Sequence, residues 1–252
     1  MKAVGCVLAS LVIMACMDVP EESEVADDIT TQNGLTAING LNTQNGLNTH
    51  NGLNTHNGLN TQNGLTDASP LMSTAAGRST LAYLVKCALP AGRTITKRDQ
   101  YGTSYSFTGA LGVGAGWETG ACNDDCQLWI SACMVAHINT AGVHVPLWLV
   151  ADPFWEPQIG WGLDPAYPHQ EGSFFGNIFT SPPKMYYCNG RDYKAGVVPG
   201  RIGSGTTAPY TDPWGGTTAM CDSFCTPSDI PYTTSGYKAC AGFNAVMTVW
   251  RQ

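Results

Sequence analysis

Glu156, His169 and Glu171 fall within one short stretch and have the side chains that hydrolysis needs. Two carboxyls at a suitable separation can protonate a leaving group and either attack or activate water, as in glycoside hydrolysis. An imidazole beside a carboxylate can take a proton as general base. Asp152 and Asp164 enrich the same stretch in acids. None of these residues sits in a diagnostic pattern. The chain has no His-Glu-x-x-His, no Gly-x-Ser-x-Gly and no P-loop, and Gly203-Ser204-Gly205 lacks the strand-turn-helix setting of a nucleophile elbow. The trio is therefore the candidate machinery of an alternative reading, a tethered extracytoplasmic hydrolase that uses carboxylates and His169.

The same region is rich in rings. Between Phe154 and Tyr187 nine of thirty-four residues are aromatic, and the prolines and glycines among them rule out a long helix. Rings held on rigid loops suit stacking on sugars or on a partner's apolar surface, and Trp155, Trp161 and Tyr167 are the candidate ligand contacts. The competing reading makes these rings core, because few long aliphatic side chains are present to fill a glycine-rich interior.

Sulfur is the third chemistry. Of ten cysteines, Cys6 and Cys16 lie at the N-terminus, and eight follow later: Cys87, Cys122, Cys126, Cys133, Cys188, Cys221, Cys225 and Cys240. An even number in an exported chain predicts disulfides, with the pairing open among 105 possibilities. Cys122-x₃-Cys126 and Cys221-x₃-Cys225 also resemble metal-ligand pairs, but an oxidising compartment argues against free thiolates, so neither a metal nor a cofactor is expected. His50 and His56, two imidazoles in a low-complexity stretch, are too few to make a metal site.

These groups need a frame, and the pattern of apolar residues predicts one. Leu81, Leu84, Val85 and Ala88 recur at helical spacing, with Thr80 as a cap and Pro90 as a stop. Arg93 to Asp99 and Thr103 to Thr108 alternate around Gln100-Tyr101-Gly102 and read as a hairpin. The glycines from Gly109 to Gly120 lack a closing Lys-Ser/Thr, so they read as a tight connection rather than a phosphate loop. A second helix is predicted over 124–139, apolar over most of its girth, capped by Asn123 or Asp124 and carrying a structural His137. Strands are expected at 143–150 and 245–250. The fold class is α+β: a small antiparallel sheet with one or two helices, rich in disulfides, preceded by a low-complexity repeat stalk.

The N-terminal part reads differently. Lys2 and an apolar run from Ala3 to Ala15 have the layout of a signal peptide, and the run is short of the roughly 20 residues that span a bilayer. Ile13-Met14-Ala15-Cys16 resembles the lipobox of bacterial lipoproteins. That resemblance implies cleavage after Ala15 and lipid on Cys16, anchoring the chain to a membrane, by default the outer membrane. Residues 16–32 then form an acidic spacer, with Asp18, Glu21, Glu22, Glu24, Asp27 and Asp28 and no base. Asn-Gly-Leu recurs every six residues from Asn33 to Asn63. Six hexads would make only two turns of a left-handed β-helix, too few to bury a core, so residues 33–78 are expected to form a stalk rather than a solenoid. The remainder, 79–252, is the globular domain. Its balance of ten basic and twelve acidic residues provides no basic stripe, and nucleic acid is not an expected partner.

Tyr-Leu-Val-Lys-Cys-Ala-Leu-Pro (83–90) and Glu-Gly-Ser-Phe-Phe-Gly-Asn (171–177) are similar to segments of uncharacterised secreted lipoproteins of Gram-negative soil bacteria, some with Asn-Gly-Leu repeats of their own. The resemblance brings no activity and no catalytic residues. The leading expectation is a lipid-anchored envelope protein that presents a binding or structural domain, its ligand a glycan or a protein.

Overall fold

A computed structural model describes residues 35–36, 69–139, 147–151, 165–180, 184–193, 219–228 and 236–252. In chain order its elements are β1 (Leu35–Thr36), a 3₁₀ turn (Ser69–Ser73), α1 (Ala75–Ala88), β2 (Thr94–Arg98), β3 (Ser104–Thr108), a second 3₁₀ turn (Ala115–Glu118), α2 (Asp124–Ala136), β4 (Ile138–Asn139), β5 (Leu147–Val150), β6 (His169–Asn177), β7 (Lys184–Asn189), a third 3₁₀ turn (Cys221–Ser223), β8 (Cys225–Pro227), β9 (Tyr237–Cys240) and β10 (Met247–Arg251). The protein is a disulfide-rich α+β fold.

Both helices start at caps that the sequence supplies. The Thr74 hydroxyl accepts from the Gly77 N–H at 3.0 Å and begins α1. Thr80, the expected cap, is instead fully buried inside the helix. The globular body accordingly begins near Ser69, ten residues before the expected boundary at Ser79, because Leu71 and Met72 join the core and Gly77 lies directly against Leu71. Asn123 caps α2, its Oδ1 accepting from Cys126 N–H at 2.9 Å, and Asp124 and Asp125 in the first turn complement the helix dipole. The helix stops at Ala136, short of the expected Asn139. The His137 N–H turns back to Met134 O, and Ile138 and Asn139 pair in parallel with Leu35 and Thr36 of the first repeat copy.

The main sheet has the order β5-β10-β6-β7, antiparallel throughout, so the last strand of the chain is threaded into its middle. Alternation along the strands assigns two faces. Leu147, Leu149, Phe174, Met247 and Val249 face α1 and α2 and form the main core. Phe175, Cys188 and Val246 face the other way and meet Cys221, Cys225, Tyr237 and Cys240 of the β8–β9 layer. Strand β6 is thus buried on both faces, and Ser173 satisfies its hydroxyl against Thr248 across the strands at 2.9 Å. A register shift opposite Val249 and Trp250 leaves Glu171 as the extra residue of a bulge.

Four disulfides staple the layers. Cys87–Cys133 ties α1 to α2, and Cys122–Cys126 tightens the entry to α2. Cys188–Cys221 and Cys225–Cys240 hold the β8–β9 layer to the sheet and to itself. The hairpin β2–β3 packs Phe107 into the main core from one face and leaves the other in water.

Candidate functional site

The expected catalytic trio is not assembled on an open face. Glu171 is buried to 0 % exposure at the β6 bulge, so its carboxyl cannot reach a polymer from solution. His169 is half-buried at the start of the same strand, opposite Arg251 of β10. Glu156 lies outside the described residues, as do Asp152 and Asp164. Among the candidate aromatics, Trp155 and Trp161 also lie outside them. Tyr167 is only 4 % exposed, clustered with Val150 and Trp250 and with its ring 6.0 Å from Trp148. Its environment is that of a core side chain.

A polar group at the start of β6 has the residue types of a site but not the energetics. Arg191 pairs with Asp222 at 3.2 Å, the Tyr237 hydroxyl donates to the same carboxylate, and the Arg191 N–H donates to Gln170 Oε1. The Tyr237 hydrogen bond, followed by that of Arg191, holds the Asp222 carboxyl below its ordinary range. Burial, reinforced by Asp222, pushes the Tyr237 phenol far up. At neutral pH the acid stays ionised and the phenol stays protonated, so neither is poised to exchange a proton. The cluster works as a clamp that joins β6, the turn after β7 and the β8–β9 layer.

Two groups gather three ligand-type atoms within 4.8 Å: Cys87, Cys133 and His137, and Cys188, Cys221 and Cys225. Every sulfur in them is bonded to another sulfur and has no thiolate to offer a cation. His137 is buried, with Nδ1 donating to the Cys133 carbonyl at 2.8 Å. That bond fixes the ring as part of the helix end.

Among the described residues an open concavity lies between the glycine loop and the first turn of α2. It has a volume of about 390 Å³, open to solvent on one side, and is lined by Gly112 to Trp117, Ala121, Asn123, Asp125 and Cys126. Its walls are held by local geometry. Gly112 has φ +75°, a left-handed conformation that favours glycine. A Cβ on Gly114 would stand 2.7 Å from Ile130 Cδ1 and 3.2 Å from Cys126 Sγ, so glycine lets the loop lie against the helix without displacing the Ile130 methyl. The Cys122–Cys126 disulfide and the Asn123 cap fix the opposite wall. Trp117 is fully buried and packs edge-on against Phe179. Beyond the rim, Arg93 forms a fork with Glu118 at 2.7–3.1 Å. Asp125 is the one ionisable group of the lining, and desolvation raises its carboxyl pKa. The volume would admit a small ligand, but the concavity is open and would cover only part of one. Two carboxylates already occupy the first turn of α2, which disfavours an anion there and favours a neutral or amine-bearing polar ligand.

The glycine loop and the cap are legible in the sequence, but their approach to each other is not. The signal available was Asn123-Asp124-Asp125-Cys126, a helix start fastened by its own cysteines directly after the glycines. Among the described residues no helix is long and apolar enough to cross a membrane. No protein-family model matches the chain, and no curated protein or solved structure matches it.

Proposed function

We propose that the chain is a lipid-anchored cell-envelope protein that presents a disulfide-stabilised binding domain at a membrane, with the acidic spacer at residues 16–32 as the tether ahead of the first repeat copy, which pairs with the body at Leu35 and Thr36. The observation that carries the binding role is the rigid groove beside α2, with Asn123 and Asp125 as its polar groups. A groove with preset walls and one isolated carboxyl suits equilibrium capture of a small polar group, such as the end of a glycan or a side chain of a partner protein. The lipobox-like Ile13-Met14-Ala15-Cys16 supports anchoring through Cys16, and the four disulfides accord with an oxidising compartment.

The test has two arms. Metabolic labelling with a fatty-acid analogue is expected to tag the wild type and to fail for Cys16→Ser; equal labelling of both overturns the anchor. Screening the full chain against glycan and peptide libraries is expected to return a saturable ligand whose affinity falls about tenfold in Asp125→Asn, the effect of one charge-assisted hydrogen bond. No ligand from either library, or an affinity indifferent to Asp125, overturns the groove as the binding site.

A further inference from the structure

The hairpin β2–β3 carries a second surface, independent of the groove. Its six outward positions are all exposed, and five bear hydroxyls: Thr94, Thr96, Ser104, Ser106 and Thr108. The sixth is Arg98. Facing hydroxyls pair across the strands, Thr94 with Thr108 at 3.0 Å and Thr96 with Ser106 at 3.3 Å. Strand preference accounts for the three threonines but not for Ser104 and Ser106. Nor is the row a usual solvent face, since exposed edge strands are normally guarded by several charges. Each paired hydroxyl can make a further hydrogen bond outward, so the face is a ladder of donors and acceptors about 6.7 Å apart along a strand.

In the turn that joins the two strands stands Tyr101, 85 % exposed and, among the described residues, the one large hydrophobic side chain left in water. The backbone beneath it is locked. Asp99 Oδ1 accepts from both Tyr101 N–H and Thr103 N–H at 2.9 Å, and Gln100 reaches across to the Ser73 carbonyl. Gly102 takes φ +86° to close the turn. On the inner face Arg78 stacks 4.5 Å over the Tyr105 ring, and the Tyr105 hydroxyl donates to Asp99. A ring on a fixed backbone loses little conformational entropy when it is covered.

We propose that this face, Tyr101 with the Thr/Ser ladder, binds a neutral polysaccharide chain. The C–H face of a sugar stacks on the bare phenol ring, and successive hydroxyls along the polymer exchange hydrogen bonds with the ladder. The scarcity of charge matches an uncharged, hydroxyl-rich partner, whereas a polyanion or a charged protein surface would need a density of cations that Arg98 alone does not provide.

The test is co-sedimentation of the full chain with insoluble cellulose, chitin and β-1,3-glucan, quantified as a binding isotherm. At least one polymer is expected to bind saturably. Tyr101→Ala is expected to lower affinity about tenfold, Tyr101→Phe to retain it, and Thr96→Val, which keeps strand preference and shape, to lower it severalfold. Melting curves should be unchanged in the two Tyr101 variants and little changed in Thr96→Val, which loses one exposed cross-strand hydrogen bond. Binding to none of the polymers overturns the proposal, as does binding unaffected by Tyr101→Ala. Loss of binding in Asp125→Asn with full binding in Tyr101→Ala would place the glycan in the groove and overturn the hairpin assignment while leaving the groove intact.

Discussion

The Sγ of Cys188 lies 3.7 Å from the Sγ of Cys225, so the two disulfides of the outer layer touch although their bonds join different partners. Contact of this kind makes the pairing depend on both bonds being closed. In Cys240→Ser the Cys225 thiol is freed beside an intact disulfide. Its thiolate is expected to attack Cys188 Sγ, forming Cys188–Cys225, breaking Cys188–Cys221 and releasing Cys221 as a thiolate. Non-reducing peptide mass mapping should therefore find both pairings in Cys240→Ser and only Cys188–Cys221 in Cys225→Ala/Cys240→Ala. A single native pairing in Cys240→Ser would show that the layer holds its sulfurs too firmly for exchange.

The helix layer makes a ranking testable. Cys87–Cys133 closes a loop of 46 residues and Cys122–Cys126 one of only 4. Chain-entropy bookkeeping gives about 4 kcal/mol for the first and about 2 kcal/mol for the second. Cys87 and Cys133 are also fully buried, so their double alanine variant adds the penalty of a small cavity. Urea denaturation of the two paired-alanine variants should place Cys87→Ala/Cys133→Ala clearly lower. The reverse order would mean that the entry to α2, rather than the contact between helices, limits stability.

Gly77 tests where the body begins. An exposed glycine inside a helix costs about 1 kcal/mol relative to alanine, so Gly77→Ala would ordinarily stabilise α1. Here the new Cβ would meet the backbone carbonyl oxygen of Leu71 at van der Waals overlap, because the turn at Ser69–Ser73 crosses the helix at this point. The expected outcome is a loss of about 1–3 kcal/mol, of the size of core overpacking. A gain in the denaturation midpoint would detach that turn from the domain and restore a boundary nearer Ser79.

That boundary shows where the sequence was readable and where it was not. The hairpin and the start of α2 follow from local patterns, with Asn123 rather than Asp124 as the cap, whereas the helix ends at Ala136 because Ile138 and Asn139 pair with another strand. Thr80 was misleading because Thr74 offers the same capping chemistry six residues earlier, and only the contact of Leu71 and Met72 with the core decides between them. Tyr167 and Glu171 share a cause of a different kind. A ring or a carboxyl in a proline- and glycine-rich stretch looks solvent-facing until a distant strand covers it, and here that strand is β10, which enters the sheet beside β6 from the far end of the chain. The groove was hidden for the same reason at shorter range: each wall is legible, but their approach depends on Gly114 lying against Ile130.

Asp125 links the groove to pH. Desolvation raises its carboxyl pKa in the fold, so the ionised form is the one that folding disfavours. A raised pKa contributes stability that is fully present below the unfolded value, about 3.9, and is lost as pH rises through the folded value. Asp125→Asn removes the titration. Relative to the wild type, the variant is expected to gain stability between about pH 3.5 and pH 7, with the difference set once the carboxyl is fully ionised. The opposing effect is the α2 dipole, which favours a negative charge at this position. Denaturation midpoints of both proteins at the two pH values separate the contributions. A variant that loses ground as pH rises would show that the dipole outweighs desolvation and that the groove is wetter at Asp125 than its walls suggest.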